Sequence, residues 1–388
     1  VGGFSGHADS NDQANLITYS NCSITGNISG NYFVGGLQGD VGQTNIFNCQ
    51  VNANIVATNS FSGGLVGYIG DDGSSISYSE FSGTLIAAGY AGGLVGIANS
   101  MTDSYNSVNA SITASSDEVG GLYGVINSSS ISNSVAYGSV IATGQDQVGG
   151  LAGNTSNISI TSSHAANTIE AASYVGGLIG SVDYSFSLTN SYANGLISAS
   201  TTDFVGALVG YSSTIPYTES NNYWYTNLTN QSTSYNDQGT GYASADLQTP
   251  ISNTGIYSNW SADFWDFGDA TQSAALIIDS NVYRDEDQDG VWAFNDAFED
   301  DPTEHQDTDN DGVGDNKDVD IDGDGLIEIS SLVQLDNIRN NLSGTAYSDG
   351  LTNDSSGCGN NDDITECNGY ELTQDLNFDE NGDGKSND

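Results

Sequence analysis

The residues best suited to chemistry are carboxylates set in a fixed rhythm. Asp285, Asp287 and Asp289 precede Gly290, with Val291 at the seventh place and Asp296 at the twelfth. The same offsets return at Asp307, Asp309, Asp311, Gly312, Val313 and Asp318, with Asp315 at the ninth place. A third run uses Asp320, Asp322, Asp324 and Gly325. Leu326 is its seventh residue, and Glu328, at the ninth, replaces the acid missing at Ser331. In such a loop the side chains at places one, three and five converge because glycine lets the chain turn. The seventh residue offers its carbonyl, and a later acid closes the shell. Donors that are all oxygen disfavour Zn²⁺. A shell rich in protein oxygens suits Ca²⁺ over Mg²⁺. The expectation is Ca²⁺ at about two to four ions. The plain alternative is a solvated acidic linker, but glycine after the third Asp three times over argues against it. Short flanks exclude an intact helix–loop–helix hand. Asp379, Asn381, Asp383 and Gly384 begin a further loop, and the chain is expected to continue beyond either end.

Other reactive residues are sparse. Cys22 and Cys49 sit 27 residues apart in matching phrases, Asn21-Cys22-Ser23-Ile24 and Asn48-Cys49-Gln50-Val51. Stacked repeats would bring their Cα atoms within ~5 Å, inside disulfide range. Cys358 and Cys367 are nine residues apart, which suits a local disulfide. Free thiols are the alternative for each pair; two disulfides would fit an oxidising compartment. His7, His164 and His305 share no ligand spacing, and no nucleophile elbow, zinc signature or phosphate loop is present. Asp71-Asp72 and Asp117-Glu118 are paired carboxylates that leave a hydrolase open, although their turn setting reads as solvated. The expectation is a non-enzymatic chain.

The elements that position these groups follow from charge and repetition. Fifty Asp and Glu face four Lys and Arg, for a formal charge of −46. That excludes a nucleic-acid binder and docking to an anionic leaflet. No apolar run is long enough for a membrane-spanning helix. All four basic residues, Arg284, Lys317, Arg339 and Lys385, lie late in the chain, so residues 1–283 contain none. A polysaccharide lyase on a β-helix typically abstracts its proton with Lys or Arg, which this stretch lacks. Instead the phrase Gly-Gly-Leu-x-Gly, or a close variant, starts at Gly2, Gly35, Gly63, Gly92, Gly120, Gly149, Gly176 and Gly206. Spacings of 27 to 33 residues hold too few residues for a domain, so each unit must bury its apolar face on its neighbours. Short strand signals between Gly, Asn and Ser turns predict an all-β, parallel β-solenoid with about 28 residues per coil and one coil per return. A propeller or sandwich is the runner-up. The Leu of each phrase should point inward. Phe33, Phe61, Tyr90, Tyr174 and Phe204, two places before the phrase, should form a stacked ladder or else a carbohydrate platform.

The predicted organisation is a solenoid over 1–220, an aromatic-rich cap on its C-terminal end over 221–278, acidic calcium loops over 279–329, and a small module with a helix over 330–342 and a Cys pair over 330–388. Calcium should order 285–328 and leave the solenoid little changed.

The phrase Gly63-Gly64-Leu65-Val66-Gly67 and its returns resemble the GLUG-motif repeats of large secreted bacterial surface proteins. Asn221-Asn222-Tyr223-Trp224-Tyr225, Trp260 and Phe264-Trp265-Asp266-Phe267-Gly268 look like the usual end of such arrays, with Tyr225 where the family has Asp. Asp301-Pro302 and Asp307-Thr308-Asp309-Asn310-Asp311-Gly312-Val313-Gly314-Asp315 resemble thrombospondin type 3 calcium repeats. These resemblances imply an adhesin-like or structural protein, secreted or on a bacterial surface in a marine or other calcium-rich setting. Glycans, neighbouring cell-surface proteins or copies of itself would be its partners. A filament subunit and a polysaccharide-active enzyme are the competing readings.

Overall fold

Each return of the glycine phrase in sequence is a return in space. The computed structural model describes residues 1–8, 16–213, 217–248, 255–269, 271–287, 289–358 and 366–377. The half-loop at Asp379, Asn381, Asp383 and Gly384 lies outside these. Two compact units divide the chain, Val1–Gly290 and Val291–Asp388.

The first unit is a parallel β-solenoid. One face is an eight-stranded sheet from Ser5–Ala8 through Gln38–Val41 and Val66–Ile69 to Val209–Ser212. A second, seven-stranded face is made of the short strands that lead into each phrase, with Gly35, Gly63, Gly92, Gly120, Gly149, Gly176 and Gly206 in register. The third and widest starts with Ile17–Gly30 and Thr44–Ala57. Eight returns enclose about seven coils, one fewer than one coil per return would give.

The glycines are there for clearance. A Cβ on Gly63 would lie 2.2 Å from the Val66 carbonyl oxygen, and one on Gly64 would lie 2.1 Å from that of Gly93. Side chains cannot occupy a bend whose backbone packs this closely. Leu37, Leu65, Leu94, Leu122, Leu151, Leu178 and Leu208 are all fully buried and stack coil on coil. Each such burial contributes roughly 1.5–3 kcal/mol. Phe4, the variant in the first phrase, is 56% exposed instead.

One inward rung is polar. Cys49, Ser79, Asn106, Ser134, Ser163, Ser191 and Asn222 each follow a corner residue with φ between 47° and 58°. Most of those corners are Asn, which tolerates the left-handed region best after glycine. Backbone N–H groups then donate to side-chain oxygens of the next coil: Cys49 to Ser79 Oγ at 3.1 Å, Ser79 to Asn106 Oδ1 at 2.8 Å, Asn106 to Ser134 Oγ at 3.1 Å. The ladder continues from Ser163 to Ser191 and from Ser191 to Asn222. Cys22 and Cys49 occupy the same rung, in register, and form a disulfide with Cα atoms 4.5 Å apart.

The outer aromatic ladder is real but broken. Phe33, Phe61 and Tyr90 stack at centroid distances of 5.6 and 5.3 Å, and Tyr174 and Phe204 at 4.6 Å. Glu118 and Gln147 occupy the same place before the phrase in the coils between them. A second stack, Phe47, Tyr78 and Tyr105, runs along the wide face.

The aromatic segment after the array divides in two. Trp224 enters the core on the last coil, where Tyr223–Tyr225 pairs with Thr240–Tyr242. Trp260 and Trp265 begin a strap against Tyr192, at 5.9 and 5.8 Å, and Trp260 also stacks on Tyr223 of the last coil at 5.6 Å and donates to the Asn221 carbonyl. The hairpin Ala275–Ile278 and Asn281–Tyr283 continues this strap back along the coils, and Tyr192 Oη donates to the Ala274 carbonyl.

In the second unit Ile327–Ile329 pairs in parallel with Tyr370–Leu372, and Cys358 and Cys367 form a disulfide with Cα atoms 5.1 Å apart. The helix is shorter than its apolar spacing suggested. It spans Leu332–Asn337, capped by Ser331 Oγ, and tightens into a 3-10 turn, Ile338–Asn340. Leu342 is 81% exposed, so the apolar stripe ends before it. No helix among the described residues is long and apolar enough to cross a membrane.

Candidate metal centre

The glycines at the sixth place of the acidic runs all adopt left-handed backbone: φ is +96° at Gly290, +90° at Gly312 and +88° at Gly325. That turn folds the preceding alternate side chains onto one point. Asp285, Asp287 and Asp289 each offer an oxygen within 4.8 Å of the others, as do Asp307, Asp309 and Asp311.

The first cluster is seated on the solenoid. Asn109 Nδ2, on a wide-face strand, donates to Asp285 Oδ2 at 3.0 Å. Arg284 and Glu286, on either side of Asp285, face the strap. Arg284 is buried, donating to Asp266 at 2.7 Å and to the Ser273 carbonyl at 3.0 Å. Glu286 accepts from the Ser273 N–H at 2.7 Å. Val291 and Asp296, read as the seventh and twelfth places, belong to the second unit; Asp296 accepts from the Phe298 N–H at 2.8 Å.

The second cluster is wrapped by its own backbone. Asp307 accepts from the N–H groups of Asp311 and Gly312, both at 3.1 Å, and Asp311 from that of Val313 at 2.7 Å. Asp309 Oδ2 and Asp311 Oδ2 are buried without a hydrogen-bond donor. Burial, followed by the charges of Asp311 and Asp307, pushes the Asp309 carboxyl up. Asp315 does not join them: its two oxygens accept from the Thr308 N–H at 2.8 Å and hydroxyl at 2.7 Å, closing the loop. Asp318 is buried and also outside the cluster; burial, ahead of its acidic neighbours, pushes it up to about 7.

The third run splits. Asp320, Asp322 and Glu328 converge, and Asp322 and Asp324 converge separately with Glu371. Glu371 stands opposite Glu328 in the parallel strand pair, 43 residues away, so no local pattern points to it. Glu328 Oε2 is buried without a donor. Burial is also the largest cause raising the Asp320, Glu328 and Glu371 carboxyls from their ordinary values. Lys317, the basic residue nearest in sequence, is taken by Asp301 at 2.7 Å and Glu304 at 3.5 Å. Convergent carboxylates, with undonated oxygens on Asp309, Asp311 and Glu328, form a hard, oxygen-only donor set that could hold a divalent cation.

The paired carboxylates elsewhere have structural surroundings. Asp71 and Asp72 are exposed in a turn; Asp117 accepts from the Asp146 N–H at 2.8 Å and Glu118 from Asn154. Sequence reasoning missed two buried groups. Asp103 accepts from Tyr123, Ser134 and Asn106 inside the coils. His164 lies between Tyr137 and Tyr192, with Nε2 2.7 Å from Asn194. Asp103 stands on a rung held by Ile46, Ile76, Ile131, Ile160 and Leu188 in other coils and by Glu219 in the last, where Asn222 donates to Glu219 as Asn106 does to Asp103. His164 shares its rung with Glu80, Ser107, Val135, Tyr192 and Tyr223.

A family model described as the GLUG motif matches residues 171–198. Neither a curated protein nor a solved structure matches the chain. The matched stretch is one coil and contains Gly176-Gly177-Leu178-Ile179-Gly180, whose register the other coils repeat. A GLUG repeat on a β-solenoid is consistent with an extracellular repeat protein.

Proposed function

We propose that this chain is a non-enzymatic structural or adhesive protein of a bacterial exterior, with a solenoid that needs no metal and acidic loops that bind Ca²⁺. The convergence of the Asp307, Asp309 and Asp311 carboxylates around undonated oxygens carries the calcium reading. Asp285, Asp287 and Asp289 would hold one ion. Asp307, Asp309 and Asp311 would hold a second. Asp320, Asp322 and Glu328 would hold a third, with Asp324 and Glu371 beside it. Calcium supplies charge neutralisation and a shared oxygen shell there, so ordering and binding are one process. Two disulfides within 388 residues agree with an oxidising, extracellular setting. Titration calorimetry of the full chain should show at least two calcium sites and weaker binding of Mg²⁺. No heat at millimolar calcium would reduce the acidic segment to a solvated linker. Turnover on any of a panel of marine polysaccharides would overturn the non-enzymatic reading.

A further inference from the structure

The wide face of the solenoid stops short on its last coil. Ile197–Ala199 pairs with Thr168–Ala171 on one side and, among the described residues, with no strand on the other. The Ile197 N–H still finds the Thr229 carbonyl at 3.2 Å, but the chain then swings away, and Thr233 bonds Ala207 instead. A groove of about 560 Å³ opens between them, lined by Leu196, Ala199, Thr202, Val205, Gln231 and Thr233 among others.

Three observations mark this groove as an interrupted coil-to-coil contact. Ala57, Ala87, Ala114 and Ala171, the equivalents of Ala199 in earlier coils, are 2–6% exposed, whereas Ala199 is half-buried. Val205 is half-buried where Val119, Val148 and Val175 are fully covered. In a parallel ladder one residue turns both its N–H and its C=O to the same neighbour, and the next residue but one does likewise. The Ile197 N–H points toward the missing strand, so Ala199 presents its N–H and C=O to the groove.

We propose that this groove is a strand-addition site for an extended peptide segment of a partner protein, entering parallel to Ile197–Ala199. The chemistry of the occupant is written in the array. Seven strands carry an aliphatic residue, a spacer and a small residue at this place: Ile28-x-Gly30, Ile55-x-Ala57, Leu85-x-Ala87, Ile112-x-Ala114, Val140-x-Ala142, Ile169-x-Ala171 and Ile197-x-Ala199. The next rung takes the same rhythm, with backbone hydrogen bonds supplying affinity and the alternate side chains supplying selection. The rim residues Thr202, Gln231 and Thr233 are neutral, and the protein's charge of −46 disfavours an acidic segment. This inference goes beyond the calcium-loop reading and does not depend on it.

The test is fluorescence anisotropy with the full chain in chelator and a labelled, end-blocked peptide of residues 110–116, which is neutral and carries the Ile-x-Ala rhythm. Saturable binding is expected. It should weaken at least about tenfold with a peptide carrying Ile112→Asp, and by a similar factor with the protein variant Ala199→Pro, which removes the facing N–H. Ala199→Leu keeps that N–H but fills the groove and should weaken binding too; it decides the matter if the proline variant does not fold by circular dichroism. No binding at about 1 mM peptide, equal binding of both peptides, or unchanged binding by every folded variant would overturn the proposal.

Discussion

Asp103 is a carboxylate placed where the neighbouring coils put Ile76 and Ile131. Three donors, Tyr123, Ser134 and Asn106, satisfy it, yet burial still pushes its pKa up to about 6 from 3.8. Between about pH 4 and 6 the folded protein therefore keeps a proton that the unfolded chain has released. Stability falls as pH rises through that window and stays lower above it. The cost at neutral pH is at most about 3 kcal/mol. Urea midpoints at pH 4.5 and 7.5 should show wild type gaining on Asp103→Asn as the solution is acidified; parallel behaviour would refute the assignment. A second residue-scale prediction concerns the Cys22–Cys49 disulfide. Other coils place Ser or Asn on this rung, so Cys22→Ser with Cys49→Ser keeps the polar ladder. The variant should fold and lose roughly 3 kcal/mol, the entropy of the closed loop, by urea unfolding. A variant that does not fold would show that the covalent bond is needed to form the first coils. Residue types and spacing made this pair legible, because Cys22 and Cys49 occupy equivalent phrases. Asp103 and His164 were not, because Tyr123, Ser134 and Asn194, which bond them, come from other coils.

At the scale of elements, what could be read depended on how local the geometry is. The Asp-x-Asp-x-Asp-Gly loops were legible since a single left-handed glycine brings places one, three and five together. Asp315 was not, because its choice between the cluster and Thr308 depends on the loop's own closure. Glu371 was not, because a strand pairing 43 residues long in sequence puts it there. The helix was half legible: its apolar spacing continued to Leu342, while the chain turned out of it after Asn340. The second loop offers the cleanest test of the calcium reading. Asp309→Asn with Asp311→Asn removes charge from the two carboxylates whose outer oxygens have no donor, and leaves Asp307 to accept from the turn. Calorimetric stoichiometry should fall by one ion, with the remaining sites unchanged. Unaltered stoichiometry would mean that this loop does not bind.

At the scale of the whole chain, order in the first unit comes from stacked ladders and in the second from small pairings around acidic loops. The repeat period predicted the first almost completely, since a constant spacing fixes register for every coil at once. It could not predict the strap, whose aromatic residues match a cap equally well until Tyr192 and Arg284 show which surface they cover. The strap also moves the expected boundary. Arg284 and Glu286 are bonded to Ser273, and Asn109 holds Asp285, so the chain is fastened to the solenoid beyond 278. Limited proteolysis tests this, but not with trypsin, which finds no Lys or Arg in residues 1–283 whether they are folded or not. Chymotrypsin has Trp292, Phe294, Phe298 and Leu326 available among the acidic loops. Chelation should raise cutting at these residues, because unneutralised carboxylates repel and few apolar contacts oppose them. The resistant fragment should run from the start of the chain to about Trp292 by mass spectrometry. Cutting at Trp260, Phe264 or Trp265 instead would show that the strap is released with the loops. Adding Arg284→Ala should produce that second pattern even in calcium, since it removes the buried bonds to Asp266 and Ser273 that hold the strap down.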